Sequence, residues 1–146
     1  SQAYYDSLFA LYAQWGVDYV KCDDICNTSI YRENQYSAAH EIEMLHAAIE
    51  KCGRPIVLSL SPGPALIEKA WHYEKYANMW RITDDFWDRW EHILNMFWRC
   101  ELWQNHVKAG CFPDCDMLPL GMVGKGFGEE RYTNFTRAEQ VTMMTL

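Results

Sequence analysis

What the chain lacks narrows it first. No stretch approaches the roughly 18 uninterrupted apolar residues that span a bilayer, so no membrane partner is expected. No basic run is present either. With 13 Lys+Arg against 20 Asp+Glu, the formal net charge is -7, a poor match for nucleic acid. Six cysteines in 146 residues are too few for a disulfide-built scaffold. No signal-peptide pattern opens the chain, which begins Ser1-Gln2-Ala3-Tyr4-Tyr5 without an initiator Met. There is no repeat, low-complexity tract or linker. The expectation is a single incomplete domain over residues 1–146, truncated at both ends. What remains is rich in core material: 49% of residues are hydrophobic and 15% aromatic, which excludes disorder.

Four apolar runs stand out, each followed by polar residues. They are Val17 to Cys22 before Asp23-Asp24, Pro55 to Leu60 before Ser61-Pro62, Asn78 to Thr83 before Asp84-Asp85, and Lys108 to Phe112 before Pro113-Asp114. The first two have the aliphatic and β-branched content of strands. Helical patterns fill the gaps. Tyr4 to Trp15 carries an apolar stripe stopped by Gly16; Ser37 to Cys52 has Ser37 as N-cap and Gly53 as terminator. Asp88 to Val107 is long and aromatic, and a capping box at Thr136 to Glu139 opens a last helix reaching Leu146. Alternating strands and helices predict an α/β parallel sheet, either doubly wound or a (β/α)8 barrel, of which four units make about half.

The acidic residues gather after the apolar runs, where parallel α/β folds place their sites. Period-two alternation puts Tyr19, Lys21 and Asp23 on one strand face, and Arg81, Thr83 and Asp85 on one face of another. The apolar alternates should pack under helices, leaving the polar set to point inward. Asp24 and Asp84 are then read as caps of the helices that follow. An inward carboxylate beside Lys21 is expected to stay ionised, and a second carboxyl crowded by like charges to keep its proton. That pairing suits cleavage of a glycosidic bond.

Trp15-Gly16-Val17-Asp18-Tyr19-Val20-Lys21-Cys22-Asp23-Asp24 resembles the nucleophile segment of glycoside hydrolase family 27, the α-galactosidase or melibiase family. Trp80-Arg81-Ile82-Thr83-Asp84-Asp85 resembles its acid/base segment, and Asp114-Cys115-Asp116-Met117-Leu118 its Asp-Pro-Asp-Met-Leu segment. The resemblance implies a partial TIM barrel, about strands four to seven, and a retaining mechanism. Asp23 would be the nucleophile and Asp85 the acid/base. Lys21, Arg81 and Asp116 would bind sugar hydroxyls. No metal or organic cofactor is implied, and a galactoside-type carbohydrate is the implied substrate. A periplasmic, secreted or lysosomal-type compartment suits the full-length parent.

Departures from the pattern bear on the substrate. Cys115 stands where the family has Pro. After the second strand, where α-galactosidases place a Glu and an aromatic near the sugar's 2-position, this chain has Ser59-Leu60-Ser61-Pro62. A small Ser61 leaves α-galactoside, α-N-acetylgalactosaminide, β-L-arabinopyranoside and isomaltosaccharide open. A half-barrel also exposes sheet edges, so self-association is expected. The rival reading is a carbohydrate-binding half-barrel without catalysis. Among weaker signals, Cys22-x3-Cys26 and Cys111-x3-Cys115 have spacings zinc tolerates but no following His ligand. Gly124 to Gly128 lacks the context of a phosphate loop, and Trp87, Trp90, Trp98 and Trp103 are read mostly as core.

Overall fold

The computed structural model describes residues 1–25, 36, 38–124 and 128–146. The chain runs α1 (Gln2–Trp15), β1 (Tyr19–Asp23), α2 (Ala39–Lys51), β2 (Val57–Ser61), α3 (Ala70–Tyr76), β3 (Met79–Arg81), α4 (Trp90–Trp103), β4 (Phe112–Asp114), β5 (Met122–Val123), β6 (Arg131–Tyr132) and α5 (Arg137–Met143). The first four strands form one parallel sheet in the order β1-β2-β3-β4. A doubly wound sheet reverses its order at a switch point, whereas a barrel adds each strand beside its predecessor. The observed order is that of a barrel arc.

Local chemistry explains the boundaries. Gly16 ends α1 with φ 76°, and the Val17 amide reaches back to the Tyr12 carbonyl, 3.0 Å away. Thr136 and Glu139 cap α5 reciprocally. Asn78 pins three strands: its Oδ1 accepts from the Leu58 amide and its Nδ2 donates to the Gly110 carbonyl, both at 2.9 Å. The helix-covered face of the sheet buries Leu58, Leu60, Trp80 and Ile82 against Phe9, Ile42, Tyr73, Ile93 and Trp103. Tyr73 stacks on Trp80 with centroids 5.7 Å apart. On the other face Tyr19, Val57 and Phe112 are exposed, while Ser59 and Ser61 are buried.

Several sequence expectations shift. α4 is shorter than Asp88 to Val107, because Asp88 is buried in an ion pair and a 3-10 turn, Gln104–His106, follows Trp103. Arg89 occupies the N-cap of α4, so Asp84 does not cap it. Asp24 adopts φ 51°, and α2 begins only at Ala39 with Ala38 at its N-cap. Ser37, the expected cap, lies outside the described residues, as do Cys26 and the middle of the Gly124 to Gly128 segment. α5 stops at Met143 rather than Leu146. The antiparallel pair β5–β6 was not foreseen. Of the four tryptophans read as core, only Trp103 is buried; Trp87, Trp90 and Trp98 are exposed.

Candidate active site

Strand register assembles the acidic end of the sheet. Asp23 pairs with Ser61 across β1–β2, and Arg81 pairs with Asp114 across β3–β4. Lys21 lies opposite Ser59, one step below on the same face. Lys21, Asp23, Ser61 and Arg81 therefore project from the side away from the helices, as alternation predicted, while Cys22, Leu60, Trp80 and Ile82 turn toward the core.

Asp23 is solvent-exposed at the end of β1. The neighbouring Ser61 hydroxyl holds its carboxyl below the usual carboxylate range, helped by the Asp24 backbone and the positive charges of Arg81 and Lys21. The serine Oγ is buried and does not reach full hydrogen-bond geometry with any group among the described residues, so its influence is that of a close dipole. Ser59 Oγ, one step below, is likewise buried and unpaired among the described residues.

The other side is knit by side chains. Arg81, 12% exposed, donates from Nη1 to Asp85 at 2.9 Å and leans on Asp116 at 3.4 Å. The Asp85 side chain is 59% exposed and ion-paired to this guanidinium, whose same Nη1 also faces the Asp116 carboxylate. Asp116 is 2% exposed and sits at φ 69°. Its Oδ2 accepts the Phe86 amide at 2.8 Å, while its own amide donates to Asp114 at 3.0 Å. Asp116 thus fastens the segment after Asp85 and the Arg81 guanidinium, and its carboxylate is already occupied by protein groups.

Two supports escaped the sequence reading. Arg99 on α4 donates to the Ile82 carbonyl at 2.7 Å, tying the helix to the strand end. Asp88 receives both Arg131 nitrogens and the Asn134 amide, and this guanidinium holds its carboxyl well below the usual carboxylate range. Both contacts join residues far apart in sequence, with no local pattern to announce them. Cys100 and Cys115 are free thiols with sulfurs 3.6 Å apart, and burial together with Cys100 pushes Cys115 up to about 12. Among the described residues no cluster of three or more His, Cys, Asp or Glu is placed to hold a metal.

The alpha galactosidase A family model (Melibiase_2) matches residues 1–139. The solved structure of a GH27 β-L-arabinopyranosidase from Geobacillus stearothermophilus superposes with a TM-score of 0.90 at 56% identity. The match covers 99% of this chain and 33% of that one. Alpha-galactosidase 3 of Arabidopsis thaliana is 31% identical over 121 residues, covering 83% of this chain and 26% of its own length. An alpha-N-acetylgalactosaminidase of Mus musculus is 32% identical over 130 residues, covering 82% and 30%. The chain therefore spans about a quarter to a third of these relatives. Its barrel-arc topology and its family match agree: this chain belongs to glycoside hydrolase family 27, the α-galactosidase family.

Proposed function

We propose that the chain carries the nucleophile and the acid/base of a retaining glycosidase for galactose-configured pyranosides. The observation that supports this most is the row at the sheet's acidic end. There, one exposed carboxylate is held ionised by a serine and two cations, and a second stands two strands away on an arginine. In the first step a carboxylate oxygen of Asp23 bonds to the anomeric carbon. The glycosidic C–O bond breaks, and Asp85 gives its proton to the departing oxygen. In the second, Asp85 takes a proton from water as that water's oxygen attacks the same carbon and releases Asp23. Lys21 and Arg81 donate to sugar hydroxyls, and Ser61 lies beside the nucleophile where a ring substituent would pass. Asp116 serves by holding Arg81 and the Phe86 amide in place. No cofactor enters this scheme.

The sugar reading has two forms. β-L-Arabinopyranose shares the ring configuration of α-D-galactose without the hydroxymethyl group. Identity of 56% to the Geobacillus enzyme, against 31% to the Arabidopsis one, favours the arabinopyranoside. The test is hydrolysis of aryl α-galactoside, α-N-acetylgalactosaminide and β-L-arabinopyranoside by this chain, alone and joined to the strands its relatives carry. Turnover that Asp23→Asn abolishes is expected. Sugar binding that survives Asp23→Asn and Asp85→Asn, with no turnover from the completed barrel, would replace this reading with the carbohydrate-binding one.

A further inference from the structure

Cys100 and Cys115 stand 15 positions apart on different elements, yet their sulfurs lie 3.6 Å from each other. Neither position is loose. Cys100 falls between Met96 and Trp103 on α4, at the spacing of four and three that continues the buried stripe of Ile93, Met96 and Trp103. Helix packing therefore turns it toward the sheet. Cys115 follows the last residue of β4. On one side of it Asp114 receives the Asp116 amide; on the other Asp116 holds Arg81 and the Phe86 amide. One residue before Cys100, Arg99 ties the same helix to the Ile82 carbonyl. Helix and strand end are thus held in place by groups other than the sulfurs. The Cys111-x3-Cys115 spacing names a different partner, but the fold sets Cys115 against Cys100. Both thiols are free and half-buried. A disulfide needs its sulfurs about 2.05 Å apart, so the gap has to close by roughly 1.5 Å, within the reach of side-chain rotation.

We propose that Cys100 and Cys115 are a reversible oxidation site, whose disulfide fastens α4 to the Asp114–Asp116 corner. A small organic disulfide, RSSR, is the oxidant. The Cys100 sulfur gives its proton to solvent and attacks one sulfur of RSSR; the other leaves as a thiolate and takes up a proton. Cys115 then loses its proton, and its sulfur attacks the Cys100 sulfur of the mixed disulfide, expelling the second thiolate. Two cysteine thiols are oxidised to one disulfide, and one RSSR is reduced to two RSH. Burial and the neighbouring Cys100 push the Cys115 thiol up to about 12, which keeps it protonated near neutral pH and makes it the resolving sulfur. Its closeness to Cys100 offsets that handicap, because the second attack is intramolecular. A bridge across 15 positions also restricts the unfolded chain, so the oxidised form is the more stable one. The thiol chemistry is independent of the glycosidase reading, although the corner it fastens is the one that carries Asp116.

Incubation of the 146-residue chain with oxidised glutathione, then alkylation of the remaining thiols and peptide mass spectrometry, tests this. A linked Cys100–Cys115 peptide is expected as the main product, with both thiols recovered on adding dithiothreitol. The oxidised chain should melt at least ~5 °C above the reduced one. Amide hydrogen exchange in the peptide spanning 112–118 should slow at least ~10-fold. Cys100→Ser and Cys115→Ser should each abolish both shifts, and Cys52→Ser should keep them. A main product joining Cys115 to any other cysteine overturns the proposal. So does glutathione left attached at either sulfur, a chain that keeps both thiols, or a bridged chain with unchanged melting and exchange. If one serine variant fails to fold by circular dichroism, the linked peptide of the unsubstituted chain and the other variant decide. None of these readouts uses turnover, so loss of the glycosidase reading would leave them standing.

Discussion

The two corners of the acidic row are built differently. Asp23 stands on β1 with its position set by backbone register against Ser61 and its charge set by neighbours that barely touch it. Asp85 stands on a loop beyond β3 and owes its surroundings to a chain of direct bonds through Arg81, Asp116 and the Phe86 amide. A residue on a strand inherits precision from the ladder. A residue on a loop needs side chains to supply it. The Asp85 side therefore carries the denser polar network, and it is the side where substitutions should be felt in stability as well as turnover.

Substitutions can break or sharpen that contrast. The largest effect belongs to the strand corner: Asp23→Asn should cut kcat/KM at least ~10³-fold, about 4 kcal/mol, while leaving thermal stability unchanged. Steady-state kinetics and a melting curve check both halves. On the loop side, Asp88→Asn should lower unfolding free energy by about 3 kcal/mol, because it strands Arg131 and the Asn134 amide. The Asp88 carboxyl sits below its unfolded value of about 3.9, so its stabilisation is complete above that pH and is lost as pH falls beneath it. Urea midpoints from pH 6 to pH 2 should show that acid sensitivity diminished in Asp88→Asn.

Asp116→Ala should cost about 2 kcal/mol by orphaning the Phe86 amide, and should lower kcat more than it raises KM. Equal losses in stability with unaltered kcat would place the network outside catalysis. Smallest is Ser61→Ala. It removes the main influence lowering Asp23, so the acid limb of the pH–rate profile should move to higher pH, with activity at neutral pH changed less than about threefold.

How much of this was legible follows the same division. Strand ends, face alternation and helix stops are local: Gly16, Thr136 and the Lys21/Asp23 and Arg81/Asp85 pairs each sit within a few residues of the pattern that reveals them. The Asp88–Arg131 brace and the Arg99 tether span 43 and 17 positions and leave no local trace. β5 and β6 are two residues each, too short for any period to register. The tryptophans misled for a physical reason. On a helix apolar on both flanks, spacing says that Trp90, Trp98 and Trp103 are on a helix but not which of them faces inward.

The strand order has a consequence for how the chain acquires its shape. In β1-β2-β3-β4 every ladder joins a strand to the one made immediately before it. Loop closures are thus confined to single βα units, and no pairing must wait for a distant segment. Each strand emerges beside an edge that is already ordered, with Asn78 ready to fasten the third to the second and fourth. The arc can thus grow one unit at a time from either end, each unit templating the next.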